Sequence, residues 1–237
     1  MIANAIDKIL SLATPNTITL NDKVYSDKRV YEIAEEKHAK ALELTTLTSL
    51  VDYIRNFKEN LKPIPYIVHV VSPTEVRLIS ALDCDRERET VVVVNANLPK
   101  IPFGQFLENE QMLITMQSMF LDGEDKALVL KFAGTVTSGS LKEYGDDGIT
   151  QKATIKSGVA SRAEAIVPSP CVLKPYRTFH EVEQPSSSFI FRMREERDSV
   201  TSALFEADGG AWKNIAKNNI REYLTEQLEG TGIIVIS

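Results

Sequence analysis

Pro168-Ser169-Pro170-Cys171-Val172-Leu173-Lys174-Pro175-Tyr176-Arg177-Thr178-Phe179-His180-Glu181-Val182-Glu183-Gln184-Pro185 decides how the second half of this chain is read. Its four prolines forbid a helix, because each lacks an amide donor and restricts both its own backbone and that of the residue before it. The segment is therefore expected to be extended or to lie at a sheet edge. Two strands follow. Ser187 to Arg194 alternates, with Phe189, Phe191 and Met193 on one face and Ile190, Arg192 and Arg194 on the other, and Val200 to Phe205 returns after a charged turn. Glu206 to Trp212, with Gly209 and Gly210, then marks a switch to a helix expected over 210–228. Trp212, Ile215, Ala216, Ile220, Tyr223 and Leu224 form its apolar stripe, and Asp208 is placed to take its first amides. Ile233 to Ile236 closes as a short strand, either buried or seeking a partner at an edge.

Outward from this stretch, strands cluster instead of alternating with helices, so the expected class is α+β with largely antiparallel sheets. Ile2, Ile6, Ile9 and Leu10 predict a short amphipathic N-terminal helix, followed by a hairpin over 17–26. Thr45 or Thr46 is expected to cap a helix over 47–60, and three strands (66–71, 75–83, 90–95) form an antiparallel meander. Val91 to Val94 predicts a central strand covered on both faces. Helices are expected over 103–120 and 124–136. A hairpin over 141–155, turning at Asp146-Asp147-Gly148, and a further strand over 162–167 lead back to the proline segment. Two parts are expected, 1–97 and 98–237, with their packing as one body left open.

The 237 residues suffice for a packed core, and the net charge of −6 opposes generic affinity for nucleic acid or anionic membrane. Cys84 and Cys171 are far apart and in no metal-like spacing, which fits a reducing compartment. Residues 1–13 lack the basic start of a signal peptide, and no apolar run spans a bilayer, so a cytoplasmic protein is expected.

Motifs for chemistry are sparse. The three histidines, His38, His69 and His180, are mutually distant, and no metal site or cofactor is expected. His180 beside Glu181 and Glu183 holds three titratable groups but no nucleophile, so no catalytic residue is assigned. The glycines lack the lysine-serine/threonine ending of a phosphate loop. The aspartate pairs 83/85 and 146/147 read more simply as turn formers than as magnesium ligands. One concentration of cations remains. Lys174, Tyr176, Arg177, Arg192, Arg194 and Arg197 can grip phosphates and stack on a base, or can form salt bridges with Glu181, Glu183, Glu195 and Glu196. The candidate ligand-binding residues are Tyr176, Arg177, His180, Arg192 and Arg194.

At Phe103-Gly104-Gln105-Phe106-Leu107-Glu108, Ser138-Gly139, Arg177-Thr178-Phe179, Glu183-Gln184-Pro185, Phe189-Ile190-Phe191-Arg192 and Glu206 to Trp212, the sequence resembles the YfdQ-like family of phage and prophage proteins, a family without an assigned activity. The likeness covers the second half of the chain and, in element order, the first. It implies a phage-encoded protein of the bacterial cytoplasm whose genomic neighbours include replication and recombination genes, and it transfers no catalytic residue. The leading expectation is a non-enzymatic homo-oligomer that acts by binding, with a nucleotide or a host protein as its partner. The alternatives are an anti-defence protein that sequesters a nucleotide signal and an accessory factor for single-stranded DNA.

Overall fold

The computed structural model describes residues 2–13, 15–20, 23–28, 40–56, 64–83, 86–135, 141–146, 151–157, 161–167, 169–196 and 199–237. The chain divides into two units, Met1–Ala39 and Lys40–Ser237. In the first, helix α1 (Ile2–Ala13) precedes strands β1 (Thr17–Leu20) and β2 (Lys23–Ser26), which pair antiparallel with Thr17 opposite Ser26. The Asp27 carboxylate accepts hydrogen bonds from the Asn16 backbone amide at 2.8 Å and from its side-chain amide at 2.9 Å, tying the strand ends together. Those bonds hold the Asp27 carboxyl below its ordinary range.

The second unit is α+β, with mostly antiparallel sheets. Its first half contains β3 (Leu42–Leu44), α2 (Leu47–Asn56), β4 (Tyr66–Ser72), β5 (Glu75–Ser80) and β6 (Thr90–Asn95). Next come β7 (Leu107–Glu108), α3 (Asn109–Met119), α4 (Glu124–Thr135), β8 (Leu141–Asp146), β9 (Gln151–Ser157) and β10 (Ser161–Val167). The chain finishes with β11 (Cys171–Leu173), β12 (Ser187–Glu196), β13 (Ser199–Glu206), α5 (Trp212–Gln227) and β14 (Ile234–Ile236).

The five-stranded sheet runs β14-β4-β5-β6-β3. Its centre is the antiparallel meander read from the sequence, and it is extended by two parallel edges, β14 on β4 and β3 on β6. Val68, Val70, Val76, Leu78, Val92 and Val94 alternate onto one face and are sealed by α2 and α5 through Leu47, Leu50, Ile220 and Leu224. Only that face of β6 is fully covered, because Val91 and Val93 on the alternate positions are half-buried. The last strand pairs with β4, so hydrogen bonding crosses the boundary expected at residue 97.

The four-stranded sheet β11-β12-β13-β7 carries the second core. Phe189, Phe191 and Met193 point inward as their alternation demands, against Met112, Met116, Phe120, Val129 and Phe132 of α3, α4 and the adjoining bend. A third sheet, β10-β9-β8, holds the hairpin and strand expected there. The turn at 147–150 lies outside the described residues, as do 21–22, His38, Phe57 and Cys84.

The helix expected from Phe103 begins six residues later, at Asn109. Gly104 adopts φ +72°, which suits glycine, and its amide donates to Leu204 O at 2.8 Å. Leu107 and Glu108 then pair with Ser202 and Thr201 as a sheet edge. Tertiary pairing thus overrides helical periodicity, and Met112, Thr115 and Met116 face inward while Ile114 stays exposed. The 3-residue β3 carries too little pattern to be read from sequence.

Phe179 is 1 % exposed and packs into the core beneath the five-stranded sheet, far along the chain from it. Truncation of Phe179 to Ala is expected to cost about 3–5 kcal/mol in urea denaturation, whereas Ile215→Ala, on the exposed side of α5, should stay within about 0.5 kcal/mol. Equal losses for the two variants would contradict this assignment of the core.

Candidate functional site

The proline-bounded segment 175–185 forms no regular element beyond a bridge between Pro175 and Phe120, so its backbone needs other partners. Gln184 supplies them. Its Oε1 accepts from the amides of Arg177 at 3.0 Å and Thr178 at 3.1 Å. Its Nε2 donates to the carbonyls of Thr178 at 3.1 Å and Phe179 at 2.9 Å. The Thr178 hydroxyl donates to Pro73 O at 2.6 Å, fastening the loop to the β4–β5 turn. Phe179 is thereby turned into one core while Arg177 faces the other.

Arg177 is 7 % exposed. Its Nη1 donates to Glu206 Oε1 at 2.7 Å and its Nη2 to Ser187 Oγ. The guanidinium carbon lies 4.0 Å from the centre of the Trp212 ring and 5.6 Å from that of Phe189, within the range of cation–π attraction. Burial lowers the guanidinium from its ordinary value, against the opposing pull of Glu206 and Asp208. The Ser187 hydroxyl passes the network on to Asp208 Oδ2 at 2.7 Å. Asp208 also accepts from the Gly210 amide at 3.0 Å and the Trp212 amide at 3.3 Å, the role at the start of α5 expected from its position. Burial pushes the Asp208 carboxyl up, but the Ser187 hydroxyl, the two amides and the Arg177 charge outweigh it and leave the group lowered.

The other candidate residues do not join this cluster. Arg192 and Arg194 lie opposite Ala203 and Thr201, on the face of β12 turned away from Phe189. Arg194 stacks over Phe106 at 3.9 Å, and Phe106 in turn meets Phe205. Tyr176 and His180 form their own pair, with ring centres 5.3 Å apart. The five residues therefore occupy three places, and the guanidinium of Arg177 is committed to its own chain.

The carboxylates flanking His180 are also engaged elsewhere. Glu181 Oε1 accepts the amides of Leu47 at 2.7 Å and Thr48 at 3.3 Å, capping α2 from 134 residues away. Thr46 completes that cap by accepting the Ser49 amide at 3.2 Å. Glu183 pairs with Lys174 at 3.1 Å, one of the salt bridges the sequence allowed. Asp83 accepts the Glu87 amide at 2.8 Å and so shapes a turn, the simpler of its two readings. Among the described residues no group of three or more His, Cys, Asp or Glu is arranged to hold a metal ion. Cys171 is fully buried, and burial pushes its thiol up to about 12, which suppresses thiolate chemistry.

A shallow groove beside the segment, about 310 Å³, is lined by Glu181, Glu183, Glu222 and Glu226 with Val182 and Tyr223. Four carboxylates around it give a phosphate no counter-charge. The roles of Gln184 and of Glu206 were invisible in the sequence, since a lone glutamine and an acidic strand end carry no spacing signal. Comparison of the chain with protein-family models, with curated protein sequences and with solved structures gave no match.

The lowered Asp208 carboxyl contributes stability that is complete above the unfolded-state value of about 3.9 and is lost as pH falls through the folded one. The stability gap between wild type and Asp208→Asn should therefore be widest above about pH 5 and narrow below about pH 4. A gap that is constant with pH in denaturation series would contradict the network.

Proposed function

We propose that this chain is a non-enzymatic binding protein that works as a homo-oligomer. A phage origin and a bacterial cytoplasmic setting accompany that reading through the resemblance of its second half to the YfdQ-like family. One observation carries it. In the Met1–Ala39 unit, Ile6, Ile9, Leu10, Ile18, Leu20, Val24 and Tyr25 are each between 51 % and 70 % exposed. Taking an aliphatic side chain from full exposure to full burial stabilises by roughly 1.5–3 kcal/mol, so covering a helix and hairpin that leave seven apolar side chains half or more exposed favours association.

The candidate cluster supports the non-enzymatic part. Arg177 braces the interior, and the two glutamates beside His180 cap a helix and pair with a lysine. No helix among the described residues is long and apolar enough to cross a membrane. Apolar contact with another copy uses the exposed surface without needing a positive field, in keeping with the charge of −6.

Size-exclusion chromatography with light scattering at micromolar concentration should give a multiple of the single-chain mass. Replacing Ile6, Ile9 and Leu10 together by lysine should lower it. A single-chain mass for the wild type would overturn self-assembly, and an unchanged multiple in the triple variant would remove the N-terminal unit as its cause.

A further inference from the structure

β14 is bonded on one side only. It runs parallel to β4, with Ile234 beside Ile67, Val235 beside Val68 and Ile236 beside His69, and among the described residues no strand lies along its outer side. Exposed edges invite pairing and are normally guarded by charge, proline or a covering group. Other edges of this molecule are guarded in that way. β3 carries Glu43 at its centre, and the Val172 amide of β11 is taken by the Asp125 carboxylate at 2.6 Å. The run Gly232-Ile233-Ile234-Val235-Ile236 has neither charge nor proline. Ile234 and Ile236, 64 % and 43 % exposed, instead lie on the sheet face away from the helices, Ile234 extending the half-buried Ile67–Ile79 row and Ile236 standing beside His69.

We propose that this edge pairs with β14 of a second copy, antiparallel about a two-fold axis at Val235, joining two five-stranded sheets into one. The proposal rests on the self-assembly reading and adds where the copies meet. The occupant follows from self-complementarity. Centred on Val235, the pairing sets Ile234 opposite Ile236 of the second copy and Ile236 opposite its Ile234, and residues directly opposite in an antiparallel pair share a face. Both isoleucine pairs then lie on the open face, where each joins the Ile67–Ile79 row of one sheet to the His69–Arg77 row of the other. A foreign strand could satisfy the backbone, but only a second copy supplies both pairs by symmetry. So short a seam buries little area by itself, so it sets register and symmetry while other apolar surface adds strength.

The register is directly testable in the full chain. Ile234→Cys and Ile236→Cys are made separately, each with Cys84→Ser; both changed isoleucines are exposed, and circular dichroism checks that each variant folds. Mixed in equal amounts and mildly oxidised, the two should form a covalent dimer, because opposed positions lie within disulfide reach. Each variant alone should give at least about fivefold less, since like positions are then diagonal neighbours at about 7–8 Å. Cross-linking of a single variant as efficient as that of the mixture, or none in the mixture while light scattering still finds an oligomer, would overturn the seam and leave self-assembly standing. A monomeric wild type, including one whose edge takes up only a foreign strand, would overturn both.

Discussion

The fold of the larger unit depends on one buried side-chain amide. Gln184 satisfies four backbone groups of the 175–185 segment, a stretch whose prolines deny it any ladder of its own. Leaving such groups buried and unpaired costs about 1–3 kcal/mol each, so the segment could not cross the interior without them. With the loop fixed, Phe179 enters the core under the five-stranded sheet and Arg177 meets Phe189 and Trp212 at the other. Glu181 then caps α2, and the carbonyl of Glu183 accepts Asn219 of α5 at 2.9 Å. One irregular loop thus ties both sheets and two helices together.

This arrangement engages Arg177 with groups of its own chain. In an acidic chain, the arginines and the tyrosine near residue 177 suggest a grip for phosphate. In the folded unit, the most central of them is desolvated and neutralised by Glu206, with Asp208 close by, and the adjacent groove is lined by glutamates. Only the arginine of this pair is buried, Glu206 being exposed, so loss of the carboxylate would leave the guanidinium charge stranded in the interior. Exposed apolar surface lies instead in the first unit and along β14.

Much of the architecture was legible in the sequence. Alternation placed Phe189, Phe191 and Met193 inward, the meander 66–95 was correctly ordered, and Asp208 was correctly placed at the start of α5. These features are local, and a period of two or three to four residues encodes them. The late start of α3 was not legible, because the pairing of Leu107–Glu108 with β13 joins positions about a hundred residues apart. The candidate site was legible only as a composition. Arg177, Arg192 and Tyr176 are close in sequence, but β12 presents Arg192 and Arg194 to one face while Phe189, against which Arg177 stacks, occupies the other. Likewise, the cap from Glu181 to Leu47 spans too much chain to leave a motif.

Hydrogen exchange at the amides of Arg177 and Thr178, both bonded to Gln184, tests most directly whether this loop holds the two cores together. If it does, those amides exchange only with global unfolding, at the same free energy as Val70 and Phe191 in the two sheets. Rapid exchange of the loop amides while both sheets stay protected would show that the cores stand without it, and would contradict the account.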